Sequence, residues 1–174
     1  VFGMKAPATV ADWREMARRR LPRFVFDYVD GGSEDESALR GNRESFERLR
    51  LLPRVLRDVS VRRQERRLLD RTLPAPLLVA PTGLNGLVRR DGDVGLARAA
   101  AAHGIPFVLS SASTTAIEEV AERAGGELWF QLYVLSARSF AERLMRRARD
   151  AGYRVLVLTV DVPVSGARER DRRN

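Results

Sequence analysis

Four short apolar runs in this chain each end in side chains that can hold a polar ligand. Leu77-Leu78-Val79-Ala80 runs into Pro81-Thr82-Gly83, and Ile105-Pro106-Phe107-Val108-Leu109 into Ser110-Ser111-Ala112-Ser113. Leu128-Trp129-Phe130-Gln131-Leu132 is followed by Tyr133, and the run over residues 154–160 carries Thr159 and leads to Asp161. Hydroxyls, an amide and a phenol donate and accept hydrogen bonds around the rim of a bound molecule. Nucleophile chemistry is poorly served. There is no cysteine, which removes thiol catalysis and cysteine-ligated zinc. His103 is the only histidine, at the end of an Ala-rich stretch before Gly104, a structural or solvent-facing place rather than that of a catalytic base. Read singly, Gln131 and Thr159 are also what the polar end of a strand looks like, and Tyr28 reads as an amphipathic core residue.

Groups at four successive strand ends need a scaffold that brings those ends together. The runs recur about every 25 residues, with helical patterns between them, which predicts parallel strands joined by crossover helices. The expected helices cover residues 93–103, closed by Gly104; from a Thr115/Glu118 capping box to about Arg123; and 138–150, with Ala141, Leu144, Met145 and Ala148 on one face. Leu77 to Ala80 reads as a strand buried on both faces. An open doubly wound sheet and a (β/α)8 barrel share this signal. The open sheet expects a GxGxxG turn after its first strand, and Pro81-Thr82-Gly83-Leu84-Asn85-Gly86 does not fit one. A site fed by successive strand ends is how a barrel builds an active site. The fold class is therefore α/β, the N-terminal half of a (β/α)8 TIM barrel with four βα strands. Residues 1–74 form N-terminal helices and an arm ahead of it, and 75–174 the half barrel.

Within the first part, residues 10–20 read as a short amphipathic helix. A second helix begins around Pro22 and ends at Gly31-Gly32. Ser33 and Glu36 suggest a capping box for a third, running to about Arg48. Residues 51–73 look like an arm or hairpin.

At 174 residues and 44% hydrophobic, the chain can bury a core, so disorder and a disulfide miniprotein are excluded. No apolar run approaches the roughly 18 residues a spanning helix needs, and residues 1–12 lack the layout of a secretory signal; the expected location is cytoplasmic. The net charge of +8 comes almost entirely from arginine, Lys5 being the only lysine. These arginines are interleaved with acids in both parts, so they read as solvated helix faces, and no nucleic-acid partner is expected.

Five segments then carry a resemblance, in order and at compatible spacing. They are Phe26-Asp27-Tyr28-Val29-Asp30-Gly31-Gly32-Ser33-Glu34-Asp35, Ala80-Pro81-Thr82-Gly83, Leu109-Ser110-Ser111-Ala112, Trp129-Phe130-Gln131-Leu132-Tyr133 and Leu158-Thr159-Val160-Asp161. Together they resemble the FMN-dependent 2-hydroxy acid oxidases and dehydrogenases. The segments 81–86 and Arg168-Glu169-Arg170-Asp171 look most like the mandelate dehydrogenase and 4-hydroxymandelate oxidase branch.

The resemblance implies FMN as cofactor and oxidation of a 2-hydroxy acid, mandelate or hydroxymandelate, to the 2-oxo acid. It implies that Ala80, Pro81, Thr82, Gly83, Ser110, Gln131 and Thr159 bind the flavin. Tyr133, Tyr28 and Arg168 would be catalytic, with Tyr28, Gly83, Ala112, Tyr133 and Arg168 shaping the substrate site. Gly83 and Ala112 stand where many members carry bulkier residues, which favours an aryl group over a methyl. The family's catalytic histidine, its carboxylate arginine, its flavin lysine and its phosphate site lie in a second half with no counterpart here, and Lys5 is no flavin lysine. The implied partners are therefore a C-terminal half barrel and further copies in a homo-oligomer, a tetramer. Membrane attachment through the family's loop after strand four is open. The alternatives are a non-catalytic half-barrel remnant and a glycolate- or lactate-type oxidase.

Overall fold

The computed structural model describes residues 6–134, 136–161 and 164–174; Lys5 lies outside them. The chain divides into two compact units, Val1–Arg57 with Val162–Asn174, and Asp58–Asp161.

The first unit opens with helix α1 (Val10–Arg20), whose bounds match the sequence pattern. Thr9 caps it reciprocally: Asp12 N–H donates to Thr9 Oγ1 at 3.2 Å and Thr9 N–H to Asp12 Oδ2 at 2.9 Å. Pro22 precedes α2 (Arg23–Asp30), which ends at Gly31. Helix α3 (Ser37–Arg48) departs from the expected capping box. Glu34 and Glu36 adopt positive φ (51° and 61°), so the backbone turns before the helix starts. Glu36 N–H donates to the Ser33 carbonyl rather than its hydroxyl, and Asp35 Oδ1 accepts from Ser37 N–H at 3.0 Å instead.

The second unit begins with an antiparallel hairpin of β1 (Arg66–Leu68) and β2 (Arg71–Leu73), within the stretch read as an arm. Leu77 to Ala80 forms only a parallel bridge, Val79 to Phe107. Leu77 is 61% and Leu78 41% exposed, so the expected burial on both faces is not met: this segment is paired along one edge only among the described residues. The short α4 (Asn85–Val88) and then α5 (Gly92–Ala102) follow. Strands β3 (Phe107–Ser110), β4 (Leu128–Tyr133) and β5 (Val155–Thr159) make a parallel sheet in chain order, with α6 (Ile117–Ala124) and α7 (Arg138–Asp150) as crossovers.

The core lies between this sheet and its helices. Leu109, Val120 and Phe130 are sealed from solvent, with Val94, Ala97, Ala141 and Ala148 supplied by α5 and α7. Small residues on α5 and α7 let the helices approach the sheet, while Leu144 and Met145 pack at the margin as the α7 pattern predicts. Tyr153 closes one end: its ring meets Phe130 edge-on at 6.1 Å and its hydroxyl donates to the Ile117 carbonyl at 2.9 Å. Burial pushes that hydroxyl's pKa up.

The chain's last segment carries α8 (Glu169–Arg172), which packs against α2 in the first unit. Arg170 holds it there, reaching Asp30 at 2.8 Å, Glu36 at 2.7 Å and Asp27 at 3.6 Å.

Candidate active site

Three of the expected residues form one hydrogen-bonded row across the carboxyl ends of β3, β4 and β5. Ser110 Oγ donates to Gln131 Oε1 at 3.1 Å, and Gln131 Nε2 donates to Thr159 Oγ1 at 2.7 Å. Ser111 N–H also donates to Gln131 Oε1, at 3.1 Å. A backbone N–H can only donate, so it fixes which end of the amide faces β3. Ser110 and Gln131 are buried, and Thr159 is half-buried.

The row keeps donor capacity in reserve. Gln131 Nε2 carries two hydrogens and uses one on Thr159. Thr159 Oγ1 accepts that bond, and its own hydrogen has no acceptor among the described residues. Two donors from neighbouring strands thus stand side by side. Such a pair suits the polar rim of a planar heterocycle, which carries carbonyl and ring-nitrogen acceptors.

The turn after the first run comes to the same strand ends. Leu84 N–H donates to the Ala112 carbonyl at 3.0 Å, and Gly86 N–H to Thr114 Oγ1 at 2.9 Å. Gly83 lies against Ala112: a Cβ on Gly83 would meet the Ala112 Cβ at 3.0 Å and its carbonyl oxygen at 3.4 Å. The two small residues that the resemblance singled out as positions of low bulk are therefore direct neighbours. Ala80 and Thr82 are exposed, and Pro81 and Gly83 half-buried. Tyr133 is 42% exposed at the end of β4, its N–H donating to Ser111 Oγ at 3.3 Å.

Tyr28 and Arg168 form a second group, in the first unit. The Arg168 guanidinium lies 5.2 Å from the Tyr28 ring centroid and donates to the Tyr28 carbonyl. Its Nε donates to Asp171 Oδ2 at 2.6 Å. A planar cation over an aromatic face is oriented as well as attracted.

Sequence reasoning missed the groups beneath the 81–86 turn. Asp93 is fully buried and accepts from Asn85, Ser113 and Thr115. Thr115 was expected to cap α6; its hydroxyl goes to Asp93 at 3.2 Å instead, and Ala116 occupies the cap position without a side-chain bond. The available signal was a carboxylate at an otherwise apolar helix start, with Ser113, Thr114 and Thr115 in the next loop.

Comparison with known proteins places these observations. The profile of the FMN-dependent dehydrogenase family matches residues 17–174. An (S)-mandelate dehydrogenase of Pseudomonas putida is 48% identical over 165 residues, which is 95% of this chain and 42% of that protein. An L-lactate dehydrogenase of Pseudomonas putida (strain W619) is 49% identical over 160 residues, 92% of this chain and 42% of its own. Among solved structures, monotopic membrane protein (S)-mandelate dehydrogenase superposes with a TM-score of 0.92 at 46% identity, covering 97% of this chain and 45% of that one. A mandelate oxidase variant with (S)-mandelic acid gives 0.90 at 39% identity, covering 97% and 50%. This chain thus spans about half the length of the relatives it matches.

Proposed function

The chain belongs to the FMN-dependent dehydrogenase family, and from that premise we propose that it forms the N-terminal half of an enzyme that oxidises a 2-hydroxy acid to the 2-oxo acid. The fold is that of a partial TIM barrel, matching the flavin-dependent relatives over about half their length. Residues 1–74 serve as the N-terminal helices and arm, and 75–174 as the first half of the barrel. A C-terminal half supplies the remaining strands and the proton-abstracting base, and the assembled enzyme is a homo-oligomer, a tetramer.

The row Ser110–Gln131–Thr159 carries this reading. Its two spare donors fit the rim of the flavin, and the Pro81–Gly83 turn offers backbone beside it, with Ala80 and Thr82 flanking. FMN, when bound, supplies the acceptor for the two electrons that leave the substrate. Tyr133 donates to the substrate oxygen at C2 and stabilises charge that develops there. Arg168 and Tyr28 hold the carboxylate, the guanidinium kept in plane by the ring it covers.

The substrate is of the mandelate or hydroxymandelate type. Gly83 and Ala112 support this, because the two touch and neither carries a side chain beyond a methyl. A lactate-type substrate is the second reading, supported by relatives at 49% identity. The ratio of kcat/KM for mandelate over lactate, measured on the assembled enzyme, decides between them: a ratio above one supports the aryl acid and a ratio below one the lactate reading.

Among the described residues no helix is long and apolar enough to cross a membrane. One solved relative is the monotopic membrane protein (S)-mandelate dehydrogenase. We place this protein in the cytoplasm, with peripheral membrane attachment open to it.

A further inference from the structure

Asp93 stands at the start of α5 with no exposed surface and no cation paired to it among the described residues. Its carboxylate is satisfied by neutral donors from two loops. Asn85 Nδ2 donates to Oδ1 at 2.7 Å; Ser113, Thr115 and Thr114 hydroxyls approach Oδ2 at 2.9, 3.2 and 3.5 Å. The first turn of a helix is also where a negative charge is favoured by the backbone dipoles.

Two of these donors, Asn85 and Thr114, are tied onward to the turn proposed to face the flavin. Asn85 Nδ2 also donates to the Thr82 carbonyl at 3.2 Å, and Thr82 Oγ1 donates to Asn85 Oδ1 at 3.0 Å. Thr114 Oγ1 accepts from Gly86 N–H at 2.9 Å. A Cβ at Gly86 would meet that same oxygen at 2.5 Å, so the two loops approach as closely as glycine allows. Asp93 is the acceptor common to the two segments, adding to the direct bonds from Leu84 N–H to the Ala112 carbonyl and from Gly86 N–H to Thr114 Oγ1.

We propose that Asp93 is a positioning residue that fixes the 82–86 turn against the 110–115 loop, and so sets the place of the flavin-facing backbone and of the Gly83–Ala112 contact. It touches neither flavin nor substrate. The inference rests on the proposed flavin site for its functional half, and on the hydrogen-bond geometry alone for its structural half.

Asp93→Asn keeps the shape but leaves one acceptor oxygen where there were two. In the assembled protein freed of FMN, hydrogen exchange at Leu84 and Gly86 should accelerate while Leu109 and Phe130 keep their protection. FMN should then bind about tenfold more weakly, the scale of one hydrogen bond to a charged group. Asp93→Glu, with its carboxylate retained, should restore part of that loss. Thr115→Val, which deletes a single donor, gives a milder form of the same pattern should Asp93→Asn not fold. Uniform acceleration of exchange at all four amides would assign Asp93 to global stability and overturn the proposal. So would unchanged exchange at Leu84 and Gly86. A wild-type protein that binds no FMN would defeat the flavin reading, while the exchange pattern would still decide the loop clamp.

Discussion

The side-chain amide of Gln131 donates to the hydroxyl of Thr159 at 2.7 Å, although the strand register sets Gln131 opposite Val157. The amide leans along β4 toward the carboxyl end of the neighbouring strand. It thereby joins Ser110, directly opposite it on β3, to Thr159 on β5.

That arrangement makes Gln131 costly to remove. Gln131→Leu leaves the buried Ser110 Oγ and the half-buried Ser111 N–H without their shared acceptor. Each unsatisfied group costs about 1–3 kcal/mol. Chemical denaturation should show a loss of about 3 kcal/mol, and FMN affinity should fall with it.

Gly83→Ala tests the pocket. The φ at Gly83 is not in the left-handed region, so the new methyl meets only Ala112, which must give by a few tenths of an ångström. Stability should change by less than about 1 kcal/mol. The ratio of kcat/KM for mandelate over lactate should fall about tenfold, the usual scale for one methyl in a substrate pocket.

Leu109→Ala reports on the core that carries the site. Leu109 has no exposed surface and sits one residue before Ser110. The substitution should cost about 3 kcal/mol, combining lost transfer energy with a cavity, as read from the denaturation midpoint.

Acid should loosen the end segment before it affects the sheet. The Arg14 guanidinium, and then that of Arg170, holds the Asp30 carboxyl below its ordinary value of 3.8. A depressed folded-state pKa means that the stabilisation is fully present above about pH 4 and is lost as pH falls below it. Protection factors across α2 and α8 should therefore fall as pH drops below about 4, ahead of those in β3 and β4.

Much of this fold is legible in the sequence because its elements are amphipathic and locally consistent. Helix α7 has the expected bounds, since Ala141, Leu144, Met145 and Ala148 repeat at helical spacing and arginines fill the other face. The strands β3 to β5 are short apolar runs between turn residues, and their parallel order follows from the crossovers. The helix starts are less legible. Thr115 and Ser33 both match a local capping pattern, but a buried carboxylate claims the first and a positive-φ turn displaces the second. Asp93 illustrates the limit: its partners lie 8, 20 and 22 residues away, and no local pattern connects them. The row at the strand ends was visible as residue types, whereas the unused hydrogens on Gln131 and Thr159 become visible only with the geometry.

The most direct test of the central claim is the anaerobic visible spectrum of the assembled protein before and after adding racemic mandelate. The account predicts a flavin spectrum that bleaches on addition, as bound FMN takes two electrons from the 2-hydroxy acid. A protein with no flavin absorption after incubation with FMN would contradict it, and would leave this chain a half barrel without the proposed chemistry.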